Sequence, residues 1–230
     1  GWGIVARHYT AEGIPGDEFL VNTYTQGAQQ SPEVTSLSNG GYLISWSSSE
    51  SQGSKGQIYN SFGTPMGGEL DFAAIGPKAT GLSDGGFVLT WNANGDIPFG
   101  YHEVYGQVYD ASGSAVGATF QINTYSNNNQ AKPDVSMLSD GGFVVVWQSE
   151  YQDGEGYGIY AQRFDADANS VGEEFPVNTL TDAGQWEPRV TGLDDGGFFV
   201  VWTSGNWQND HDGSGSGIFG RKYDADGNAL

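Results

Sequence analysis

Along the chain, short apolar runs alternate with glycine- and acid-rich punctuation, and the same run returns at regular intervals. Four segments align without gaps: Pro32–Trp46 (PEVTSLSNGGYLISW), Pro77–Trp91 (PKATGLSDGGFVLTW), Pro133–Trp147 (PDVSMLSDGGFVVVW) and Pro188–Trp202 (PRVTGLDDGGFFVVW). Their starts lie 45, 56 and 55 residues apart. In each, a Val-x-x-Leu pattern such as Val135–Leu138 predicts a first strand. The NGG or DGG step then supplies residues able to take positive φ at a tight hairpin. The FVVVW-type run that follows is apolar at successive positions, which predicts a second strand buried on both faces.

A second element recurs five times, at Ile4–Phe19, Gln57–Leu70, Gln107–Phe120, Ile159–Phe175 and Ile218–Leu230. Its start alternates (Tyr160, Gln162, Phe164), which predicts a third strand, and a turn of DADGN type leads to a fourth at Phe175–Asn178. A third element, beginning at Val21, Ile122 and Val177 (VNTYT, INTYS, VNTLT), is replaced in one unit by Leu70–Gly76.

This arithmetic predicts an all-β chain: a β-propeller of four-stranded antiparallel blades, each of about 45–55 residues, with four units plus one surplus strand. A β-sandwich and an open repeat array are the alternatives, although a sandwich would not need the same unit four times. The chain reads as one repeat domain over residues 1–230, with units near 1–31 (partial), 32–76, 77–132, 133–187 and 188–230. Trp2-Gly3-Ile4-Val5 aligns with Tyr157-Gly158-Ile159-Tyr160, so the expectation is a segment of a longer array. In a closed ring, Phe19–Asn22 would instead complete the last blade.

Composition narrows the function. Glycine makes up 37 of 230 residues, more than twice the usual ~7%, which disfavours long helices. A net charge of −20 repels phosphate backbones and anionic lipid, so nucleic acid is not an expected partner. No apolar stretch approaches the ~18 residues of a membrane span, so membrane insertion is not expected either. The 7 Trp, 12 Tyr and 12 Phe argue against acidic disorder, and the absence of cysteine removes disulfides, thiol chemistry and zinc–thiolate sites.

Trp46, Trp91, Trp147 and Trp202 hold one equivalent position and read as blade-to-blade packing. Trp2, Trp186 and Trp207 are not repeated; they read as loop aromatics that could stack on a ligand. The loops Glu150–Gly158 and Asn206–Gly217 place Asp153 and Glu155, and Asp210 and Asp212, two residues apart among glycines. Such loops can offer several oxygens to Ca2+, although neither matches the full EF-hand pattern. Asp165 and Asp167, and Asp224 and Asp226, have the same spacing but read as plain Asx turns. His8, His102 and His211 pair with no recurring nucleophile, and Arg7, Arg163, Arg189 and Arg221 are dispersed over different units. The expectation from these residues is a protein that is not an enzyme.

The best-formed unit, Pro133–Thr179, resembles the tandem repeats of very large secreted bacterial proteins of the RTX, or haemolysin-type calcium-binding, group. That resemblance implies a bacterial extracellular or cell-surface location and adhesive or matrix roles. It does not extend to the nonapeptide calcium motif, which is missing here. The expectation is thus a non-catalytic module whose partner is a glycan, an extracellular matrix component or neighbouring copies of itself. A filament or surface-layer subunit and a propeller glycosidase are the alternatives.

Overall fold

The computed structural model describes residues 2–49, 53–74, 76–94, 101–205 and 215–230. Its described residues form seventeen strands and no helix. β1 (Val5–Tyr9) and β2 (Pro15–Leu20) make a two-stranded sheet. Three four-stranded sheets follow. The first has β3 (Gln29–Ser36), β4 (Tyr42–Ser48), β5 (Gly53–Tyr59) and β6 (Pro65–Phe72). The second has β7 (Lys78–Gly81), β8 (Phe87–Asn94), β9 (His102–Tyr109) and β10 (Ala115–Gln121), and the third β11 (Gln130–Met137), β12 (Phe143–Glu150), β13 (Tyr157–Phe164) and β14 (Ser170–Pro176). The last sheet has three strands: β15 (Gly184–Gly192), β16 (Phe198–Gly205) and β17 (Ser216–Tyr223). Strands run in sequence order across each sheet and pair antiparallel throughout, which is the blade of a β-propeller.

The second strand shows why this is a propeller and not a two-layer sandwich. Along β12, Phe143, Val145 and Trp147 pack with Leu82, Val88 and Val104 of the preceding blade. Val144 and Val146 pack with Phe198, Val200 and Trp202 of the following one. The blade holding β12 is sandwiched between two others, so its second strand is apolar on both sides; in the last sheet, which packs on one neighbour among the described residues, Phe199 of the second strand is 37% exposed. Trp46, Trp91, Trp147 and Trp202 are all buried at these interfaces, at 1, 9, 0 and 8% exposure. A second repeated packing unit sits beside them, where the rings of Tyr42–Tyr59, Phe87–Tyr109, Phe143–Phe164 and Phe198–Tyr223 stack at 4.7–5.0 Å.

The repeat signatures resolve into backbone chemistry. In the NGG and DGG turns the first side chain accepts the N–H two residues on, as Asp140 Oδ1 does from Gly142 at 2.9 Å. Gly141 takes φ 92°, whereas Gly142 faces the Phe164 carbonyl so closely that a Cβ has no room. The two glycines thus serve different needs. The asparagine of VNT lies beyond the fourth strand and caps the third: Asn22, Asn123 and Asn178 Oδ1 accept from Ile4, Val104 and Ile159 at 2.6–2.7 Å. The Asp165 and Asp224 turns are Asx turns, each carboxylate accepting the backbone N–H groups of the residues two and four positions on. Asp165 is held below the ordinary aspartate range, first by its bond to the Asn169 side chain.

Two strand boundaries differ from the sequence expectation. The fourth strand is Ser170–Pro176 and not Phe175–Asn178, because the ladder starts directly at the turn. The first strand runs Gln130–Met137, five residues earlier than its apolar pattern starts, because a bulge lets Pro133 sit inside it. At the N-terminus, β2 pairs with β1 and not with the last blade, and Ile4 and Val21 pack on Ile44, Trp46 and Tyr59.

Candidate functional site

The first strands of successive blades lie side by side. Gly192 donates its N–H to Ser136 Oγ at 2.9 Å, Met137 donates to Thr80 Oγ1 at 3.1 Å, and the Thr35 hydroxyl donates to the Ala79 carbonyl at 3.4 Å. Residues at one register of these strands are therefore brought together from different units.

One such register is unusual. The first-to-second-strand ladder slips between Gln30 and Glu33, between Ala131 and Asp134, and between Trp186 and Arg189. At each slip the residue before the proline has left-handed backbone: Ser31 (φ 54°), Lys132 (φ 55°) and Glu187 (φ 53°), with Gly76 (φ 60°) at the matching place in the second full blade. Non-glycine residues resist this conformation, and it concentrates where a fold re-aims side chains for function. The residues re-aimed are Glu33, Lys78, Asp134 and Arg189, two acids and two bases in alternation.

Lys78 Nζ pairs with Glu33 Oε1 across two blades. Asp134 Oδ2 accepts the Val190 N–H at 2.9 Å, and burial pushes its carboxyl above the ordinary aspartate range, with Glu33 adding to the rise. The Val190 N–H, Arg189 and Lys78 pull the other way and offset only part of it. Two carboxylates thus sit in contrasting surroundings, one paired with an ammonium and the other largely withdrawn from water. A cleft of about 790 Å3 opens beside them, lined by Lys78, Asn92, His102, Lys132, Tyr157 and Arg189. A smaller one of about 190 Å3, lined by Glu33, Trp46, Pro77 and Lys78 among others, shares Gly76 and Lys78 with it.

The residues singled out in the sequence fall elsewhere. Trp2 is 77% exposed and precedes β1. Trp186 is not in a loop: it lies on β15 opposite Thr203, half-buried, with its indole over Gly184. Trp207, Asp210 and Asp212 lie outside the described residues. Asp153 is half-buried; its Oδ2 accepts from Asn178 Nδ2 at 3.3 Å, and its buried Oδ1 has no partner among the described residues. Glu155 is exposed, and no group of three or more metal-ligating side chains forms among the described residues. The ring of charge was missed because the apolar pattern starts after it. Its signal was nevertheless present: the residue directly after each repeat-opening proline is charged, and the sign alternates as Glu, Lys, Asp, Arg.

The architecture defines a β-propeller, and solved structures agree. An endo-arabinase from Bacteroides thetaiotaomicron is similar at TM-score 0.54 and 14% identity, over 86% of this chain and 80% of that one. An α-L-arabinofuranosidase from Lactobacillus brevis is similar at TM-score 0.52 and 14% identity, over 95% and 81%. An α-L-arabinanase from Penicillium chrysogenum, solved with arabinobiose, is similar at TM-score 0.53 and 15% identity, over 88% and 66%. No protein-family model and no curated protein matches the chain. These findings correct two expectations. The resemblance to RTX tandem repeats is not sustained, because the similar structures are glycoside hydrolases. The expectation that the chain is not an enzyme fails on the same ground.

Proposed function

We propose that this chain is a carbohydrate-active propeller that takes a glycan across the first strands, beside the cleft, and hydrolyses a glycosidic bond at the register of Glu33 and Asp134. The observation that carries the reading is the pair Glu33 and Asp134, brought by bulged first strands to one register and placed in unlike surroundings. Glycoside hydrolysis needs one carboxyl that keeps its proton and one that stays ionised. Asp134, raised by burial, is suited to protonate the leaving oxygen. Glu33, next to the Lys78 ammonium, is suited to draw a proton from the attacking water. The likeness in fold to an arabinanase and an arabinofuranosidase supports a glycan as the partner.

The test is release of reducing ends from a panel of arabino-, xylo- and uronate-containing oligosaccharides. Glu33→Gln and Asp134→Asn should each lower kcat by roughly 10²–10⁴ while leaving the melting temperature within a few degrees. A folded wild-type protein that binds oligosaccharides but turns none over would overturn the hydrolytic reading. The proposal also places the protein outside the bacterial cell, and it keeps Ca2+ as a ligand of the loop holding Asp210 and Asp212, whose spacing among glycines suits a hard cation.

A further inference from the structure

The chain has only eight Lys and Arg against 28 Asp and Glu, yet three of the eight, Lys78, Lys132 and Arg189, line one cleft. They come from three consecutive first strands, so the fold gathers cations that are 54 and 57 residues apart in sequence (132 − 78 and 189 − 132). Lys78 is committed to Glu33. Lys132 and Arg189 form no ion pair among the described residues; the only bond of the Arg189 guanidinium is to the carbonyl of its own neighbour Pro188, at 2.7 Å. Asp134 is near enough to Arg189 for that charge to act on it, but its Oδ2 is taken by the Val190 N–H and it forms no ion pair with either cation among the described residues. Lys132 is held there at φ 55°, a conformation a lysine adopts only under constraint from its surroundings. Its backbone carries the bulge, and its ammonium is left exposed at the cleft.

We propose that this cleft is a subsite for the anionic group of an acidic glycan, a carboxylate or a sulfate. The inference rests on the glycan reading above and names its substrate class. The guanidinium of Arg189 presents a planar fork that matches either oxyanion, and Lys132 supplies a point charge beside it. The amide of Asn92 and the Tyr157 ring complete a lining suited to sugar hydroxyls and a sugar face, while the Asn129 amide is engaged by the His102 N–H and Glu150. The overall charge of −20 does not forbid this. At physiological ionic strength charges farther than ~8 Å are largely screened, so the nearest cations decide what the cleft binds.

Calorimetric titration of the whole chain with three oligosaccharides of equal length tests the proposal: oligogalacturonate, a uronate-free carrageenan fragment, and a neutral arabino-oligosaccharide. At least one of the acidic ligands should bind ten-fold or more tightly than the neutral one, and which of the two does so identifies the oxyanion. That preference should shrink several-fold between 50 and 500 mM salt in the wild-type protein, and vanish in Lys132→Asn/Arg189→Gln, where asparagine tolerates the positive φ. Equal affinity for all three, or a preference that survives both salt and the double substitution, would overturn the acidic subsite and leave the glycan reading standing. Binding of none of the three would overturn both.

Discussion

The backbone N–H of Val190 donates to Asp134 Oδ2 at 2.9 Å, tying the first strand of one blade to that of the next through a carboxyl whose ionisation burial opposes. A carboxyl with a folded-state pKa above its unfolded value costs stability once it ionises. The cost is nil at acid pH and accrues as pH climbs from the ordinary aspartate range through the raised one. Asp134→Asn keeps an acceptor for Val190 and removes the charge. It should match the wild-type melting temperature near pH 3 and exceed it by a few degrees at pH 7, taking ~2–4 °C per kcal/mol for a chain of this size. A difference that stays flat across that range would show that Asp134 is not held above its ordinary pKa.

The capping asparagines should be worth more than their loop setting suggests. Asn178→Ala leaves the Ile159 N–H, at the fully buried start of a third strand, without its acceptor. An unsatisfied buried donor costs roughly 1–3 kcal/mol, readable from the denaturant midpoint. Asn178→Asp, which keeps the acceptor, should recover part of the loss.

The repeated and the unrepeated tryptophans should separate by burial. Trp147→Ala empties a fully buried blade interface and should cost about 3–5 kcal/mol. Trp2→Ala removes an indole that is 77% exposed and should change stability by no more than about 0.5 kcal/mol. Equal effects in urea unfolding would contradict the interface assigned to Trp147.

The two glycines of one turn should fail for different reasons. Gly141→Asn should be tolerated, since asparagine adopts positive φ more readily than other residues, whereas Gly142→Asn should destabilise strongly by driving its Cβ into the Phe164 carbonyl. Thermal melts of the two variants check this directly.

Calcium in the loop of Asp210 and Asp212 makes a simple expectation. Millimolar Ca2+ should raise the melting temperature by a few degrees, EDTA should reverse it, and Asp210→Asn/Asp212→Asn should abolish the response. No change with Ca2+ in the wild-type protein would remove the ion from the proposal.

Much of the fold could be read from the chain alone, because its signals are local. A hairpin needs Asp140-Gly141-Gly142 within three residues, and a strand covered on both sides announces itself as an unbroken run such as Phe143–Trp147. The period of these signals fixed the blade and its number of strands. The cleft could not be read in the same way. Glu33, Lys78, Asp134 and Arg189 each look like an isolated polar residue beside a proline, and they become one site only because successive first strands are laid against each other. Their directions depend on the bulges at Ser31, Lys132 and Glu187, where a backbone conformation that local preference disfavours is imposed by the packing around it. Sequence by itself determined the repeating unit, since that depends on neighbours a few residues apart. Only the tertiary structure decided where scarce positive charge collects in an acidic protein, since that depends on residues more than fifty positions apart meeting at the inner edges of their blades.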